Sequence, residues 1–599
     1  MLFHSKEEKI NFIKWTFKFL NFFSTIFFFL NKSYFFLKRR IKKNYYPEEI
    51  KILSKICNDE LLEIILKENY KKSNINFGPT KLKICSTFLL INKKNLWEEN
   101  FVDEEINSSI YRWSWLLYSI SGEEKLPSFE WGVNLMRSWI KNSNKKKGTN
   151  DSYSLGERIC NSLLFTRVIT GNWNSLPLDL NQFILSDASQ LIKALEYYEK
   201  DLTGNHLFNN ARALFYISKI FKIKSLEKLS KKIIKERLKT LITKEGFLRE
   251  GSSHYHFLFT RWLYEIYFIS VEFRDYSFKI SIQPTLERML KKCNFFLIKK
   301  DNQIKLPLIG DISPDFEPNW VIGISKPYQR RKNKSKKPHV YSWSNIAVKF
   351  PSFRDISIQE ENLENFYFNF PKSGWYRINW GEWTAIFRTL TKESYTRSNH
   401  SHQDFGSIVL YYRGEEILID KGRLSYKNSG NAKESSSLRS LSHNTLEIDG
   451  LPICLSPFDN FPTDYQKIRY SLDFKKFDGY ASLTLKHNGF DRLQGKKVKH
   501  KRSFNFYENH FEITDDIDGS GNIDVNVFLH FLKDPDSNNS KFNFKTSSEN
   551  LKSSRNKIQI INEKDWHHPS YGTKKKSFRK KINYYGNLPL SINHSILIK

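Results

Sequence analysis

The sequence predicts a helical N-terminal half followed by an antiparallel β-sandwich, and three observations lead to this fold class. Residues 47–300 carry apolar residues mainly at helical spacing. A basic stretch with few apolar residues, "QRRKNKSKKPH" (329–339), separates this half from the rest. Beyond it, apolar residues alternate with period two in short runs bounded by Gly, Asn or Asp, as in strands joined by turns.

The helical half shows two kinds of helix. The segment "SLEKLSKKIIKERLKTLI" predicts an amphipathic helix with one apolar face, formed by Leu226, Leu229, Ile233, Ile234, Leu238 and Leu241. The segments "NHLFNNARALFYISKIF" and "FLFTRWLYEIYFISVEF" are apolar nearly all round, which is typical of the inner helices of an array. Because no strand pattern interrupts these helices, we expect an all-α domain.

The second half carries the strand pattern. It recurs in "GWYRINWGEWTAIFRTL", "SIVLYYRGEEILID", "HNTLEIDG", "SFNFYENHFEITDDID" and "IDVNVFLHFL". Many short antiparallel strands favour a β-sandwich. At 599 residues, the chain is also long enough for two or three domains. We therefore divide it into an apolar and basic N-terminal segment (1–46), a helical domain (47–325), a basic linker (326–345) and a β domain (346–599).

The composition limits the class of protein but not its function. The hydrophobic content of 39% supplies enough apolar surface for sizeable cores and excludes a disordered chain. A formal net charge of +32 favours a polyanionic partner, namely nucleic acid, anionic lipid or an acidic polysaccharide. A genome biased towards Lys, Asn, Ile and Phe explains the same charge equally well. The 5 cysteines have no paired spacing, so neither a disulfide framework nor a cysteine-based zinc site is indicated.

The N-terminal run "FLNFFSTIFFFLN" (19–31) is strongly apolar and flanked by lysines. About 20 apolar residues are needed to span a bilayer, and this run is too short without burying Lys14 and Lys18. Its length suits a signal peptide, but no site of small residues follows it. Two interpretations stand: a helix on a membrane surface or in a core, and an uncleaved anchor or atypical signal.

Two polar segments interrupt the apolar helices of the first half. "TGNHLFNNARAL" places Asn205 and His206 at a helix start and Asn209 one turn later, a pattern that also suits a simple helix cap. "GFLREGSSHYHF" places Glu250 and then Tyr255 before an apolar helix. A tyrosine beside histidines can take part in proton transfer. The alternative is a polar first turn with Ser252 or Ser253 as its cap.

Two further polar segments lie in the β half. "RSNHSHQDFGSIVLYYRGEEILIDKG" carries His400, His402, Asp404 and Asp420, and "SLRSLSHNTLEIDG" carries His443. Two neutral imidazoles and a carboxylate suit Zn²⁺, so a set formed by His402, Asp420 and His443 is a candidate metal site. The separations of 18 and 23 residues are compatible with neighbouring strands but do not require them. Asp404 is assigned a turn or supporting position and no metal contact.

Taken in order, these segments resemble the heparinase II/III-type polysaccharide lyases over residues 80–480. The similar elements are "SYSLGERICNSL", "GNHLFNNARAL", "GFLREGSSHYH", "NHSHQDFGSIVLYYRGEEILIDKGRLSY" and "RSLSHNTLEIDG". Each is weak alone, but the whole ordered series is specific. The resemblance implies an incomplete (α/α) toroid followed by an antiparallel β-sandwich, with the active site in the cleft between them.

The resemblance also implies a reaction, the cleavage of uronic-acid glycans by β-elimination. A proton leaves C5 of the uronate and the 4-O-glycosidic oxygen departs, so the site must neutralise the carboxylate and supply a base and an acid. Asn205 and His206 match the family's neutralising positions. Tyr255 matches the tyrosine that moves the proton, and His400 matches the partner base from the β domain.

The resemblance further implies a cofactor and substrate contacts. His402, Asp420 and His443 match residues that hold a structural zinc ion in several members, where the ion fixes the loop that bears His400. We expect substrate contacts from Asn209, Glu250 and Arg439, although several members carry a charged residue at the position of Asn209. The expected partner is an acidic polysaccharide drawn to a basic cleft, with no nucleic acid.

Several alternatives stay open at this point. A uronate C5-epimerase of the same fold removes the same proton, and other relatives act in surface-polysaccharide biosynthesis or modification. A non-catalytic polyanion-binding protein would use the basic runs 329–337, 496–502 and 574–580. The family implies the cell envelope or periplasm, whereas the lack of a clean signal peptide leaves a cytoplasmic or membrane-associated location, with peripheral membrane contact through residues 11–43. The sequence does not indicate an oligomeric state.

Overall fold

The structure is a computed structural model that describes fifteen stretches of the chain. These are residues 46–66, 68–93, 96–122, 125–143, 150–198, 204–300, 303–325, 341–356, 366–389, 400–426, 435–454, 468–493, 497–538, 540–548 and 557–599. The apolar run 19–31 and the basic loop 329–339 lie outside the described residues. Within them, no helix has both the length and the apolar character needed to cross a membrane.

The first half of the described chain is helical, as predicted. Its helices are α1 Glu48–Leu62, α2 Glu104–Tyr111, α3 Ser114–Ile120, α4 Phe129–Ser143, α5 Ser152–Thr170, α6 Leu178–Lys193, α7 Asn205–Ile220, α8 Lys224–Leu241, α9 Ser253–Glu272 and α10 Tyr276–Phe296, followed by the short α11 Pro318–Ile322 and α12 Ser344–Ala347. Two small hairpins accompany them, β1 Lys81–Ile84 with β2 Thr87–Leu90 and β3 Ile298–Lys300 with β4 Gln303–Lys305.

The inner helices α5, α7 and α9 are buried on nearly all sides, which explains their lack of a polar face. The apolar face predicted for α8 is confirmed, since all six of its residues are buried. The inner helices also enclose charges: Arg212 binds Glu157 and Glu265, each at 2.8 Å, and Arg261 lies 3.1 Å from Glu157. Pairing within the core compensates the desolvation of these four groups.

The second half forms the strands of two large antiparallel sheets. They are β5 Tyr367–Phe370, β6 Trp375–Trp380, β7 Trp383–Arg388, β8 Ile408–Tyr412, β9 Glu415–Leu418, β10 Leu446–Ile448, β11 Leu451–Pro452, β12 Tyr470–Phe477, β13 Tyr480–His487, β14 Lys499–Tyr507, β15 His510–Asp518, β16 Asn522–Phe531, β17 Phe542–Ser548, β18 Lys557–His567, β19 Lys575–Asn587 and β20 Leu590–Ile598. The predicted β-sandwich is confirmed.

The larger sheet has ten strands in the order β11-β10-β16-β9-β8-β7-β6-β5, with β19 and β18 added beside β16. The smaller sheet has the order β12-β13-β14-β15-β20-β17. Alternate residues of the larger sheet enter two different cores. Ala385 and Phe387 pack in the sandwich core, whereas Ile386 and Val409 pack in the core of the helical half. The larger sheet therefore lies between the smaller sheet and the helices, and its edge can complete a site on the helical half.

The boundary between the halves differs in detail from the prediction. Residues 341–356 were expected to divide between the linker and the β domain, but Trp343, Ile346 and Phe350 belong to the helical core. Trp343 packs on Phe268 of α9 with ring centroids 5.8 Å apart. Among the described residues, the first strand of the larger sheet begins at Tyr367.

Candidate active site

Three segments from different parts of the chain meet where the helical half contacts the larger sheet. The amide of His400 donates to the carbonyl of Glu250 at 2.8 Å, and the amide of Asp311 donates to the carbonyl of His400 at 2.9 Å. Gly310 allows this close approach: its φ is +80°, and a Cβ there would lie 2.7 Å from the carbonyl oxygens of Gly251 and His400. The backbone thus fixes the start of the loop that leads to β8.

His400 lies at the centre of this meeting point. Its ring stacks on the ring of Tyr255 from α9, with centroids 3.6 Å apart and planes 15° apart. Its Nε2 lies 3.2 Å from Nδ2 of Asn205, and its Nδ1 lies 2.9 Å from Oδ2 of Asp311. Because an amide nitrogen only donates, Nε2 is the acceptor, and the ring proton therefore sits on Nδ1 and is donated to Asp311.

Asn205 is held by the carboxylate of Glu250. The backbone amide of Asn205 donates to Oε1 at 3.0 Å, and its Nδ2 donates to Oε2 at 2.8 Å. Glu250 thereby caps the positive N-terminal end of α7 from another segment of the chain. Glu250 is buried, and burial raises its pKa. With His400 as the second acceptor, both Nδ2 protons of Asn205 are in use.

Tyr255 is positioned by the first turn of α9. Its backbone amide donates to the side chain of Ser252 at 3.1 Å, which confirms that serine as the helix cap. Its hydroxyl lies 2.8 Å from the hydroxyl of Tyr426, which donates to the carbonyl of Ile312 at 3.0 Å. Burial raises the pKa of Tyr255 well above its usual value. Tyr255 is therefore a phenol, and not a phenolate, in this structure.

The two histidines beside Tyr255 have structural contacts. His254 Nδ1 accepts from the amide of Ser313 at 2.9 Å, and His256 Nδ1 accepts from the amide of Leu248 at 3.2 Å. Burial lowers the pKa of His254 to about 3 and that of His256 to about 4. Both imidazoles are neutral and serve to fix the loops around α9.

His206 has a different environment from Asn205 beside it. Its side chain is 51% exposed, its Nδ1 lies 2.7 Å from Oε2 of Glu196, and its ring centroid lies 4.7 Å from that of Tyr153. The hydroxyl of Tyr153 donates to Asp315 at 2.6 Å, and Arg112 binds the same carboxylate at 2.8 Å. His206 therefore lies at the surface of a network of buried ionic groups.

Asp311 was missed by the sequence analysis, although it connects the parts of the site. Its Oδ2 accepts from His400, and its Oδ1 lies 2.8 Å from Nε2 of His402 and 2.5 Å from Nη1 of Arg423. Burial alone would raise the pKa of Asp311, but Arg423 and the two imidazoles hold it well below its usual range. A single carboxylate thus orients two histidines with different surroundings.

His402, Asp420 and His443 come together as a buried cluster. One potential ligand atom from each lies within 4.8 Å of the others. His443 Nδ1 lies 2.7 Å from Oδ2 of Asp420, whereas His443 Nε2 and His402 Nδ1 are buried without a hydrogen-bond partner. Two open imidazole nitrogens beside a carboxylate fit the donor set that Zn²⁺ prefers. The contact between His402 and Asp311 is the kind that orients a metal-binding imidazole.

Asp404 lies beside this cluster but binds a different partner. Its Oδ2 accepts from Nη1 of Arg388 at 2.6 Å, and Nη2 of the same arginine donates to Ser401 at 2.6 Å. Arg388 ends β7, so this pair attaches the loop of His400 and His402 to the larger sheet. Asp404 is not among the three residues of the cluster.

Two of the residues predicted to contact substrate lie elsewhere. Asn209 is completely buried between α7 and α5, where its Nδ2 donates to the carbonyl of Tyr153 at 3.2 Å. This position leaves no face of Asn209 for a ligand, so we assign it no substrate contact. Arg439 is exposed on the turn before His443, and its charge acts on Glu447.

The ionic groups joined to the site are mainly carboxylates. They are Glu196, Glu250, Asp311 and Asp315, against His206, Arg112 and Arg423. Each arginine is paired with one of these carboxylates. These groups therefore carry no excess of positive charge, although the net charge of the chain is +32. They do not support the expectation of a basic cleft.

Comparison with known proteins agrees with this architecture. The family model described as "Heparinase II/III-like, C-terminal" matches residues 365–593. Residues 365–593 are therefore similar to the C-terminal domain of the heparinase II/III-like family. His400, His402, Asp420 and His443 lie within the matched residues, whereas Asn205, His206 and Tyr255 come from the helical half. The candidate site is therefore built from both halves of the chain. No curated protein matches the chain by sequence.

Solved structures share the whole fold. One described as heparinase III has a TM-score of 0.61 and 17% identity, covering 93% of this chain and 92% of that one. A mutant of the heparan sulfate lyase HepC from Pedobacter heparinus has a TM-score of 0.52 and 15% identity, covering 92% and 88%. The described residues thus have the toroid-plus-sandwich fold, with the helical half first.

Proposed function

We propose that this protein is a lyase that cleaves a uronate-containing acidic polysaccharide by β-elimination. The observation that carries the proposal is the stacking of His400, from the β domain, on Tyr255, from the helical domain, with Asn205 bound to the same imidazole. A base, a phenolic acid and an amide donor thus meet where the two halves join. Clefts between domains are common ligand sites.

His400 is the group we assign to remove the C5 proton. Its Nδ1–H is held by Asp311, so the lone pair lies on Nε2, where a general base needs it. In the structure this lone pair accepts from Asn205. A substrate carboxylate is a stronger acceptor than a neutral imidazole, since bonds to charged groups are the stronger ones. The uronate would take over the Asn205 N–H and leave Nε2 free.

Tyr255 is the group we assign to protonate the leaving oxygen. Its raised pKa keeps the phenol protonated at neutral pH, as a general acid requires. The C5 proton passes to Nε2 of His400, the C5–H electron pair forms the C4–C5 double bond, and the C4–O bond breaks. The departing oxygen takes the Tyr255 proton. Return of the proton from the imidazolium to the phenolate through solvent restores the site.

A metal ion at His402, Asp420 and His443 would have a structural part in this scheme. We propose Zn²⁺, because the cluster offers two imidazole nitrogens and a carboxylate within a buried site. The ion would hold these three side chains in one geometry. No proton transfer in the proposed reaction would depend on the ion. Because His402 is two residues from His400, this fixes the loop that carries the base.

The proposal is tested by incubating the full chain with alginate-type, heparan-type and capsule-type glycans. A lyase generates a C4–C5 double bond conjugated with the carboxylate, which absorbs in the ultraviolet. We expect Tyr255→Phe to lower the rate by about 10²- to 10⁴-fold, the usual contribution of a general acid or base. Tyr267→Phe in the same helix is the matched control, since Tyr267 is also buried but has no part in the site.

Two results would contradict the proposed function. The first is the absence of an unsaturated product from every acidic glycan. The second is a Tyr255→Phe variant as active as the Tyr267→Phe control.

A further inference from the structure

The contact between Glu196 and His206 joins two helices at the surface of the site. Glu196 follows α6, and His206 lies in the first turn of α7. The ring is fixed on one edge by the 2.7 Å contact from Nδ1 to Glu196 and on one side by Tyr153. About half of the side chain remains exposed. Fixed at Nδ1, the imidazole has its Nε2 edge left for a ligand.

Neutralisation of the substrate carboxylate needs a donor that is not already committed. Asn205 has both Nδ2 protons in use, one on Glu250 and one on His400. It can release only the second of these. When His206 is an imidazolium, both of its ring nitrogens carry a proton. Nδ1–H then faces Glu196, and Nε2–H can form a charge-assisted bond to a substrate carboxylate. The larger part of the neutralisation therefore falls to His206.

The charged and titratable groups around His206 favour its protonated form. They are Glu196 after α6, Glu250 before α9, Arg112 after α2 and Tyr153 on α5. Burial of part of the His206 ring favours the neutral imidazole, which lowers its pKa. The charge of Glu196 has the larger and opposite effect, and the pKa of His206 rises to about 9. Arg112 acts in the opposite sense but is itself bound to Asp315. Solvent at the exposed half screens part of this effect, and the protonated form is still favoured at neutral pH.

We propose that Glu196 is a positioning residue that holds His206 as an imidazolium and directs its Nε2–H to the uronate carboxylate. This rests on the proposed function and adds the residue that sets the charge of the carboxylate subsite. The subsite would bind the single carboxylate of one uronate. The His206 imidazolium would donate one hydrogen bond to it, and the Asn205 N–H that now contacts His400 would donate the other. Loss of the Glu196 charge should weaken substrate binding there most at alkaline pH, because Glu196 is the main group that keeps His206 protonated.

The alternative is a purely structural ion pair that joins the end of α6 to α7. Glu196→Gln separates the two, because it keeps the size of the side chain but removes the charge that stabilises the cation. We expect kcat/KM at mildly alkaline pH to fall about tenfold for each unit by which the pKa of His206 drops. At mildly acidic pH the variant should approach the wild type. Glu196→Asp, which keeps the charge, should restore part of the alkaline activity.

A second experiment measures the protonation of His206 and does not depend on catalysis. The full chain, labelled with ¹³C at histidine Cε1, is titrated by NMR, and the signal of His206 is assigned by its loss in His206→Gln. We expect the midpoint for His206 to lie well above its ordinary value in the wild type and to fall by one pH unit or more in Glu196→Gln. Glu227→Gln, which breaks a partly buried pair with Lys219 at 2.7 Å, is the control and should leave the His206 midpoint unchanged.

The outcomes separate the two proposals. A raised His206 midpoint that depends on Glu196, in a protein that cleaves no glycan, supports the pair and contradicts the proposed function. Two results would overturn the assignment of Glu196. One is glycan cleavage by a protein whose His206 titrates with an ordinary midpoint. The other is a pH profile of kcat/KM whose alkaline side is the same in Glu196→Gln as in the wild type. A lower melting temperature with an unshifted pH profile would identify the pair as structural only and would also overturn it.

Discussion

Two clusters of histidine and aspartate lie in the β domain, and they differ in what their ring nitrogens contact. In the first, His487 Nδ1 accepts from the amide of Gly489 at 3.0 Å, and its Nε2 lies 2.8 Å from His500 Nδ1. His500 Nε2 then lies 2.8 Å from Asp515, so each ring nitrogen has a partner. Arg502 binds the same aspartate at 2.8 Å, and the cluster is closed.

The second cluster, His402 with Asp420 and His443, leaves two ring nitrogens open. His402 Nδ1 and His443 Nε2 are buried without a hydrogen-bond partner. A buried polar atom without a partner costs about 1–3 kcal/mol, and a cation bound by both nitrogens would offset this cost. Residue composition is therefore the same in the two clusters, and they differ in that two open ring nitrogens lie beside one carboxylate only in the second.

The two clusters also differ in their place in the fold. His487, His500 and Asp515 lie on neighbouring strands of the smaller sheet. His402 and His443 lie in loops where the larger sheet meets the helices, and Asp311 reaches both His402 and His400. Loops held by a rigid scaffold are the usual location of functional groups.

The largest expected difference between the clusters is in metal content. Protein purified without chelator should carry nearly one zinc ion per chain, and His443→Ala should carry none. His500→Ala is the matched control and should keep its zinc, because His500 belongs to the closed cluster. Elemental analysis measures both. Equal zinc in the two variants, or none in the wild type, would remove the metal assignment.

The closed cluster should matter more for stability. Arg502→Met leaves Asp515 buried without its cation, and breaking such a pair costs about 3–5 kcal/mol. Arg502 also donates to the carbonyls of Gly406 at 3.2 Å and Asn444 at 3.0 Å, next to the loops of the open cluster. Denaturant unfolding should show the loss, while Arg413→Met, in an exposed pair with Glu382, should cost less than about 1 kcal/mol. A loss no greater than that of the control would mean that the closed cluster is dispensable.

Asp311→Asn should have a smaller effect, which falls on the open cluster and on His400 beside it. Loss of a group that orients a metal-bound histidine typically lowers metal affinity by about 10- to 100-fold. The same change removes the charge and leaves one acceptor oxygen for His400, His402 and Arg423, so turnover should fall as well. Competition with a chelator measures the affinity. An unchanged affinity together with normal turnover would show that Asp311 orients neither histidine.

The sequence was sufficient for the fold because periodicity reports directly on burial. The six apolar residues of α8 are all buried, and the alternating segments are strands. It also indicated which residues would meet, since Asn205, Tyr255 and His400 lie together. Asn209 was misplaced because its position one turn after His206 does not show which helix face packs against α5.

Asp311 and Tyr426 could not be found from local pattern. Asp311 lies in "LPLIGDISPDF", which has neither helical nor strand period, and its partner His400 is 89 residues away. One signal was available: an apolar loop that contains two aspartates, Asp311 and Asp315, is costly to bury unless both carboxylates are bound. Tyr426 binds Tyr255 across 171 residues, and only the packing of the two halves brings them together.

Proton NMR of a uronate oligosaccharide incubated with the protein in D₂O tests the central claim most directly. If His400 and Tyr255 carry out β-elimination, a signal from the hydrogen at C4 of the new double bond should appear as the chain shortens, and Tyr255→Phe should suppress both. Deuterium at C5 of an intact chain would instead identify an epimerase. An oligosaccharide that binds but stays unchanged and unlabelled would contradict catalysis at this site.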